Sequence, residues 1–88
     1  EGIDLESEIL NVSPNPTSDQ ATVYYNINTE EGTLLRVLDI QGKVVYIQQL
    51  SYDSDQILLD LSNYESGYYT VMISRPVGNQ LTFKLIKL

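Results

Sequence analysis

The sequence predicts an all-β fold. Apolar residues recur at every second position in nearly every segment, which is the repeat of a strand with one buried face. Turn-forming residues interrupt these segments at intervals of roughly 8–12 residues, the spacing typical of sandwiches. No segment shows the apolar stripe of a helix. Because about seven such strands are most easily buried as two stacked sheets, we expect an immunoglobulin-like antiparallel β-sandwich.

A proline-rich corner follows the first expected strand, Ile9 to Ser13. Each proline of the stretch SPNP at residues 13–16 fixes its own φ and holds the preceding residue in extended geometry, so the stretch cannot be helical. The chain then begins a second strand near Ala21. Such a corner also blocks the strand of a neighbouring molecule from pairing there, because proline lacks the backbone donor of a sheet ladder.

Alternation identifies the other strands. The residues expected to face the core are Ala21, Val23, Tyr25 and Ile27, then Leu35 and Val37, then Ile57, Leu59 and Leu61, then Tyr69, Val71 and Ile73. A tight turn at Gln41-Gly42 leads into the second arm of a hairpin, Lys43 to Leu50. A loop at residues 62–67 precedes the sixth strand, and we expect the Tyr69 hydroxyl to tie that loop as a corner tyrosine. The last strand covers residues 81–87.

The composition excludes several classes of protein. At 88 residues the chain is long enough for one domain with a modest core. It has no cysteine and no histidine, which removes disulfides, thiol nucleophiles, the usual zinc ligands and the commonest general base. The net charge is −7 and the five basic residues are scattered, so we expect no nucleic-acid partner. No apolar run is long enough to cross a bilayer, and we expect no membrane insertion.

Paired carboxylates give little reason to expect catalysis. They occur as Glu30-Glu31 and as Asp53 and Asp55, both in turns. Acid and base chemistry on a glycoside needs two carboxyl groups held across a cleft, and a domain this small with its acids in turns offers none. The oxygen atoms of Asp53, Ser54 and Asp55 suit Ca²⁺, but a solvated turn explains them more simply. We expect no enzyme activity, no cofactor and no metal site.

The seven tyrosines leave a binding function open. Tyr24, Tyr46 and Tyr68 alternate away from the expected core, and an exposed aromatic patch could stack on sugar rings. Tyrosine is also a favoured strand residue, and cross-strand aromatic pairs stabilise any sandwich. The structural interpretation is favoured. An accessory carbohydrate-binding or fibronectin-like module of a secreted enzyme stays as the alternative function.

Three stretches, taken in order, resemble one known family. They are NVSPNPTSD at residues 11–19, VLDIQGKVV at 37–45, and ILLDLSNYESGYYTVMIS at 57–74 followed by the terminal FKLIKL. Their order and spacing closely resemble the C-terminal sorting domain of the type IX (Por) secretion system, type A. We expect residues 9–88 to form this domain and residues 1–8 to form an acidic linker before it.

The resemblance implies a non-catalytic delivery function. Domains of this family sit at the C-terminus of cargo proteins from Bacteroidota and direct export from the periplasm across the outer membrane, to the cell surface or the medium. The implied partners are the type IX translocon, which recognises the domain, and a sortase-like peptidase, which removes it from the cargo fused upstream. The residues that match the family motifs, and that we expect the translocon to recognise, are Pro14, Asn15, Pro16, Asp39, Gly42, Gly67, Tyr69, Lys84, Leu85, Ile86 and Lys87.

Some of these residues also have structural explanations. The stretch 14–16 is a stiff corner whatever else it does, and Gly67 is most simply a turn residue with positive φ. For residues 84–87 we favour recognition, because a last strand can add to the sheet of a partner. The linker, Glu1 to Glu8, is where a protease could cut without unfolding a strand, and the chain reads as a fragment with any signal peptide upstream.

Overall fold

A computed structural model describes residues 9–26, 31–50, 55–76, 78 and 80–88 of the chain. Within those ranges the chain forms seven strands, and no helix there is long and apolar enough to cross a membrane. The strands are β1 (Ile9–Ser13), β2 (Gln20–Asn26), β3 (Leu34–Leu38), β4 (Val44–Gln49), β5 (Gln56–Asp60), β6 (Gly67–Ser74) and β7 (Leu81–Lys87). The predicted linker at residues 1–8 lies outside the described residues.

The strands form two antiparallel sheets. One contains three strands in the order β1-β2-β5, and the other contains four in the order β4-β3-β6-β7. The chain passes between the sheets after β2, β4 and β5, so sheet neighbours such as β3 and β6 are distant in sequence. This arrangement confirms the predicted immunoglobulin-like β-sandwich.

The core lies between the two sheets and contains the apolar residues at alternate strand positions. The predicted inward-facing residues that are buried are Ala21, Val23, Tyr25, Leu35, Val37, Ile57, Leu59, Leu61, Tyr69, Val71 and Ile73. Ile27, which the same pattern placed in the core, lies outside the described residues. Val12 of β1 and Leu85 of β7 are also buried, so the outer strands pack on this core as well. In these strands alternation in the sequence thus predicts which face is buried.

Two of the three tyrosines predicted to face away from the core do so. Tyr24 and Tyr68 are exposed, but the prediction for Tyr46 is wrong, because its ring is partly buried against the core. Tyr46 pairs with the inward-facing Val37 of β3, and residues directly opposite each other share one face of a sheet. The sequence of β4 is apolar at both odd and even positions, so alternation alone could not assign its faces.

The packing makes a prediction about leucines. Leu35 of β3 is fully buried, so Leu35→Ala should lower the free energy of unfolding by about 2–5 kcal/mol through lost burial and a residual cavity. Leu58 of β5 is 59% exposed, and Leu58→Ala should change that free energy by less than about 0.5 kcal/mol. Urea unfolding followed by far-UV circular dichroism measures both. Similar losses in the two variants would contradict this assignment of the core.

Candidate functional site

The residues predicted from the family motifs meet at one end of the sandwich. We call this region the motif end and define it as residues 14–17, 39–43, 61–69 and 84–88. It contains the corner after β1, the turn between β3 and β4, the loop between β5 and β6 with the start of β6, and the end of β7. The antiparallel pairing of Gly67 with Lys87 and the parallel bridge between Thr17 and Lys87 bring these segments together.

At the corner, the side chain of Asn15 takes the place of a strand beside β7. Its Nδ2 donates a hydrogen bond of 2.9 Å to the carbonyl of Lys84, and its Oδ1 accepts one of 2.9 Å from the backbone N–H of Ile86. These are the donor and acceptor that a peptide group of a neighbouring strand would supply. Through these two hydrogen bonds the amide of Asn15 covers part of the outer edge of β7. The peptide bonds before Pro14 and Pro16 are both cis.

Thr17 continues this contact along the same edge. Its backbone N–H donates to the carbonyl of Ile86 at 2.9 Å, and its carbonyl accepts from the N–H of Leu88 at 2.8 Å. The side chain is 3% exposed, and its Oγ1 donates to the carbonyl of Gln20 at 2.6 Å. The outer edge of β7 from Lys84 to Leu88 is thus already paired. A partner strand could add there only after displacing the corner.

The two lysines at the end of β7 face opposite sides of the sheet, because side chains alternate along a strand. Lys84 is exposed on the outer face, whereas Lys87 is 8% exposed. The Lys87 Nζ donates to the carbonyls of Tyr64, at 3.1 Å, and Leu88, at 3.4 Å. Leu85 is fully buried and Ile86 is half-buried. Lys84 and Ile86 thus lie on the outer face of β7, while Leu85 and Lys87 hold the strand in place.

Tyr69 is the corner tyrosine that the sequence predicts. Its hydroxyl donates to the carbonyl of Glu65 at 2.7 Å and so closes the loop before β6. Gly67 has φ of +144°, which confirms the predicted positive φ. The ring of Tyr64 packs on that of Tyr69 with centroids 5.5 Å apart. Burial raises the pKa of Tyr69, and the nearby carboxylates of Glu65 and Asp39 raise that pKa further.

Asp39 organises the turn between β3 and β4. Its Oδ1 accepts hydrogen bonds of 2.9 Å from the backbone N–H groups of Gln41 and Lys43. Its own carbonyl accepts from the N–H of Gly42, also at 2.9 Å, and Gly42 has φ of +85°. This turn requires a carboxylate at its first position and a glycine at its fourth, so Asp39 and Gly42 both stabilise the fold.

The described residues form neither an aromatic platform for a sugar nor a cluster of metal-ligating side chains. Tyr24 lies on the three-stranded sheet and Tyr68 on the four-stranded sheet, so the two exposed rings do not form one platform for a sugar. No group of three or more potential metal-ligating side chains occurs in the part of the chain that the structure describes. Glu30, Asp53 and Ser54 lie outside that part.

Sequence reasoning missed three residues that hold the motif end together: Thr17, Tyr64 and Glu65. Thr17 bridges to β7, Tyr64 supplies the carbonyl that receives Lys87, and Glu65 supplies the carbonyl that receives Tyr69. The contributions of Tyr64 and Glu65 come from backbone carbonyls, which every residue has, so no residue type could have indicated them. The position of Thr17 directly after the second proline was the one available signal.

The fold and this cluster define a small sandwich domain whose motif residues gather around its last strand. A family model described as the secretion system C-terminal sorting domain matches residues 11–88, and the chain belongs to that family. It is a C-terminal sorting signal of the type IX secretion system, whose route leads to the cell surface or the outside of the cell. No curated protein matches the chain.

The corner makes a prediction about Asn15. Asn15→Ala removes both hydrogen bonds to β7 and should lower the free energy of unfolding by about 1–2 kcal/mol. Amide hydrogen exchange at Ile86 should accelerate in the same variant. Asn15→Asp keeps an acceptor for Ile86 but sets an oxygen against the carbonyl of Lys84, so it should not restore stability. Asn11→Ala, at an exposed site on β1, is the matched control, and equal effects at both sites would refute the role of the corner.

Tyr69 makes a prediction that depends on pH. Tyr69→Phe removes a buried hydrogen bond and should cost about 1 kcal/mol at pH 7, against little change for Tyr24→Phe on an exposed ring. Because the pKa of Tyr69 is raised in the folded state, its contribution is complete below the ordinary tyrosine pKa of about 10 and is lost as the pH rises above it. The urea midpoint should therefore fall less steeply above about pH 10 in Tyr69→Phe than in the unaltered chain. Equal slopes would contradict this.

Proposed function

We propose that the chain is a non-catalytic sorting domain whose motif end is bound by the type IX translocon in the periplasm. The cargo fused upstream then crosses the outer membrane with it. The observation that carries the proposal is the convergence of all eleven motif residues on one end of the sandwich. Segments as far apart in sequence as Asn15 and Lys84 are joined there by direct hydrogen bonds.

Apart from Gly42, which is exposed in the β3–β4 turn, the motif residues divide into two groups by their exposure and their position. Asp39, Gly67, Tyr69, Leu85 and Lys87 are buried or half-buried and hold the motif end in shape. Pro14, Pro16 and Lys84 are exposed. Ile86 is half-buried and lies on the same face of β7 as Lys84. We propose that this second group is the surface the translocon binds: a rigid apolar corner next to one cation. Asn15 fixes the distance between the corner and that cation through its bonds to β7.

The direction of β1 separates the recognition surface from the cargo. β1 begins at Ile9 and runs towards the corner at residues 14–17, so a polypeptide attached before Ile9 leaves from the end of β1 that is farther from the motif end. A partner bound at the motif end therefore contacts the opposite end of β1 from Ile9. The same geometry supports removal by a sortase-like peptidase on the N-terminal side of Ile9, because all seven strands that the structure describes lie after such a cut.

The proposal is tested by the location of a fluorescent cargo. The cargo carries an N-terminal Sec signal and residues 1–88 at its C-terminus, and is produced in a type IX-competent bacterium and in a strain lacking the translocon. We expect fluorescence at the surface or in the medium only in the competent strain. Periplasmic retention of the intact fusion in both strains would overturn the proposal.

Substitutions then separate recognition from stability. Lys84→Ala should reduce export several-fold while leaving the urea midpoint of the isolated domain unchanged, because Lys84 is exposed. Lys43→Ala is the matched control: it removes an exposed lysine that lies in the motif end but outside the proposed recognition surface, so this variant should be exported normally. Lys87→Met should lower the midpoint, because it removes the bond to the Tyr64 carbonyl. Normal export of Lys84→Ala would remove Lys84 from the recognition surface.

A further inference from the structure

An open groove lies at the motif end beside the residues discussed above. It has a volume of about 670 Å³ and runs between the β3–β4 turn and the loop before β6. Its apolar walls include Ile40, which is 78% exposed, and Tyr68, which is 60% exposed. The carboxylate-bearing residues Asp39 and Glu65 line it as well. The sorting motifs account for the shape of this end, but they give no role to Ile40 or Tyr68.

The groove is negatively charged on a chain whose net charge is already −7. None of the described cationic side chains lines it. Asp39, Glu65 and Tyr69 line the same groove, and both carboxylates raise the pKa of the Tyr69 hydroxyl. The Oδ1 atom of Asp39 accepts hydrogen bonds within the β3–β4 turn, so its Oδ2 atom can accept one from another donor. Glu65 is exposed. The field here favours a cation.

One aromatic face in the groove is available to a ligand. The ring of Tyr64 packs against Tyr69, with centroids 5.5 Å apart, and so has a partner within the fold. Tyr68 projects from the outer face of β6 into solvent. A tyrosine ring with carboxylates beside it suits a planar guanidinium, which stacks on the ring and donates paired hydrogen bonds to a carboxylate.

We propose that this groove binds an extended peptide segment of a partner protein through an arginine side chain, which stacks on Tyr68 and pairs with the carboxylate of Glu65. The partner is therefore a protein with an exposed arginine in an extended segment. The proposal goes beyond the sorting function, because binding requires only the folded domain and is measured without the translocon or a cargo.

A second groove extends the site past Tyr68. It has a volume of about 350 Å³, shares Tyr68 and Asp39 with the first, and is lined by Leu38, Met72 and, at one side, Lys84. Alternate residues of an extended peptide point the same way, so the residue two positions from the arginine reaches this groove. Its apolar wall favours an apolar side chain, and Lys84 disfavours a second cation. The bound segment is thus an arginine followed or preceded, two residues away, by an apolar residue.

The experiment is a titration of the ¹⁵N-labelled chain, residues 1–88, followed by amide chemical shifts. The probe is an acetylated and amidated hexapeptide of sequence Gly-Ser-Arg-Ser-Leu-Gly. Three control ligands are matched to it: one with citrulline in place of arginine, one with serine in place of leucine, and maltohexaose as a neutral sugar. The protein variants are Glu65→Gln, Tyr68→Ala and Tyr68→Phe, with Glu31→Gln as an exposed carboxylate away from the groove. Dispersed spectra establish that each variant is folded.

We expect the arginine peptide to shift the amides of Gln41, Ser66 and Tyr68 and to leave Thr22 and Leu58 on the other sheet unchanged. Citrulline, Glu65→Gln and Tyr68→Ala should each weaken binding by about two- to fivefold, while Tyr68→Phe and Glu31→Gln should retain it. The leucine-to-serine peptide should bind more weakly than the probe. Binding should also weaken at high salt.

Three results would overturn the proposal. The first is the absence of saturable shifts with the arginine peptide. The second is binding that Glu65→Gln and Tyr68→Ala leave unchanged, since it would place the peptide elsewhere. The third is a response of the same amides to maltohexaose and not to the peptide, which would make the groove a sugar site. Export of the fluorescent cargo is measured separately, so failure of either proposal is distinguishable from failure of the other.

Discussion

Hydrogen bonds between the corner at residues 14–17 and β7 hold the two sheets together along one side of the sandwich. β1 belongs to the three-stranded sheet, yet within four residues of its end the chain is paired with the outer edge of the four-stranded sheet. Asn15 supplies side-chain groups and Thr17 supplies backbone groups to the same edge. The contact satisfies polar groups on β7 that a free edge would leave to water or to another molecule.

The position of β7 in turn determines the rest of the motif end. β7 pairs with β6 along its whole length, and that pairing sets Lys87 opposite Gly67. Lys87 then reaches the carbonyl of Tyr64, and the hydroxyl of Tyr69 reaches that of Glu65. The loop before β6 is therefore fastened from both sides. This loop forms one wall of the groove that contains Tyr68, so the groove depends on the same strand that the corner holds.

Many of the motif residues serve the fold, which affects how their substitution is interpreted. A change at Leu85, Lys87 or Tyr69 disturbs packing or buried hydrogen bonds, and loss of export would follow from loss of structure alone. Lys84 differs, because its side chain is exposed while only its backbone carbonyl holds the corner. The distinction between residues that stabilise the fold and residues that are exposed matters for any folded signal, because a partner can contact only atoms on the surface.

The sequence by itself determined the fold class, the seven strands and the buried face of most of them, because a period of two and regular turn residues are local properties of the chain. It also indicated the corner, the tyrosine corner at Tyr69 and the family. Tertiary structure alone decided that Asn15 pairs with β7, that Lys87 is buried while Lys84 is not, and that Tyr46 turns towards the core. The contacts of Asn15 and Lys87 join segments that are distant in sequence, and the orientation of Tyr46 follows from its register opposite Val37 in the neighbouring strand, so the local pattern of residues could not specify any of the three.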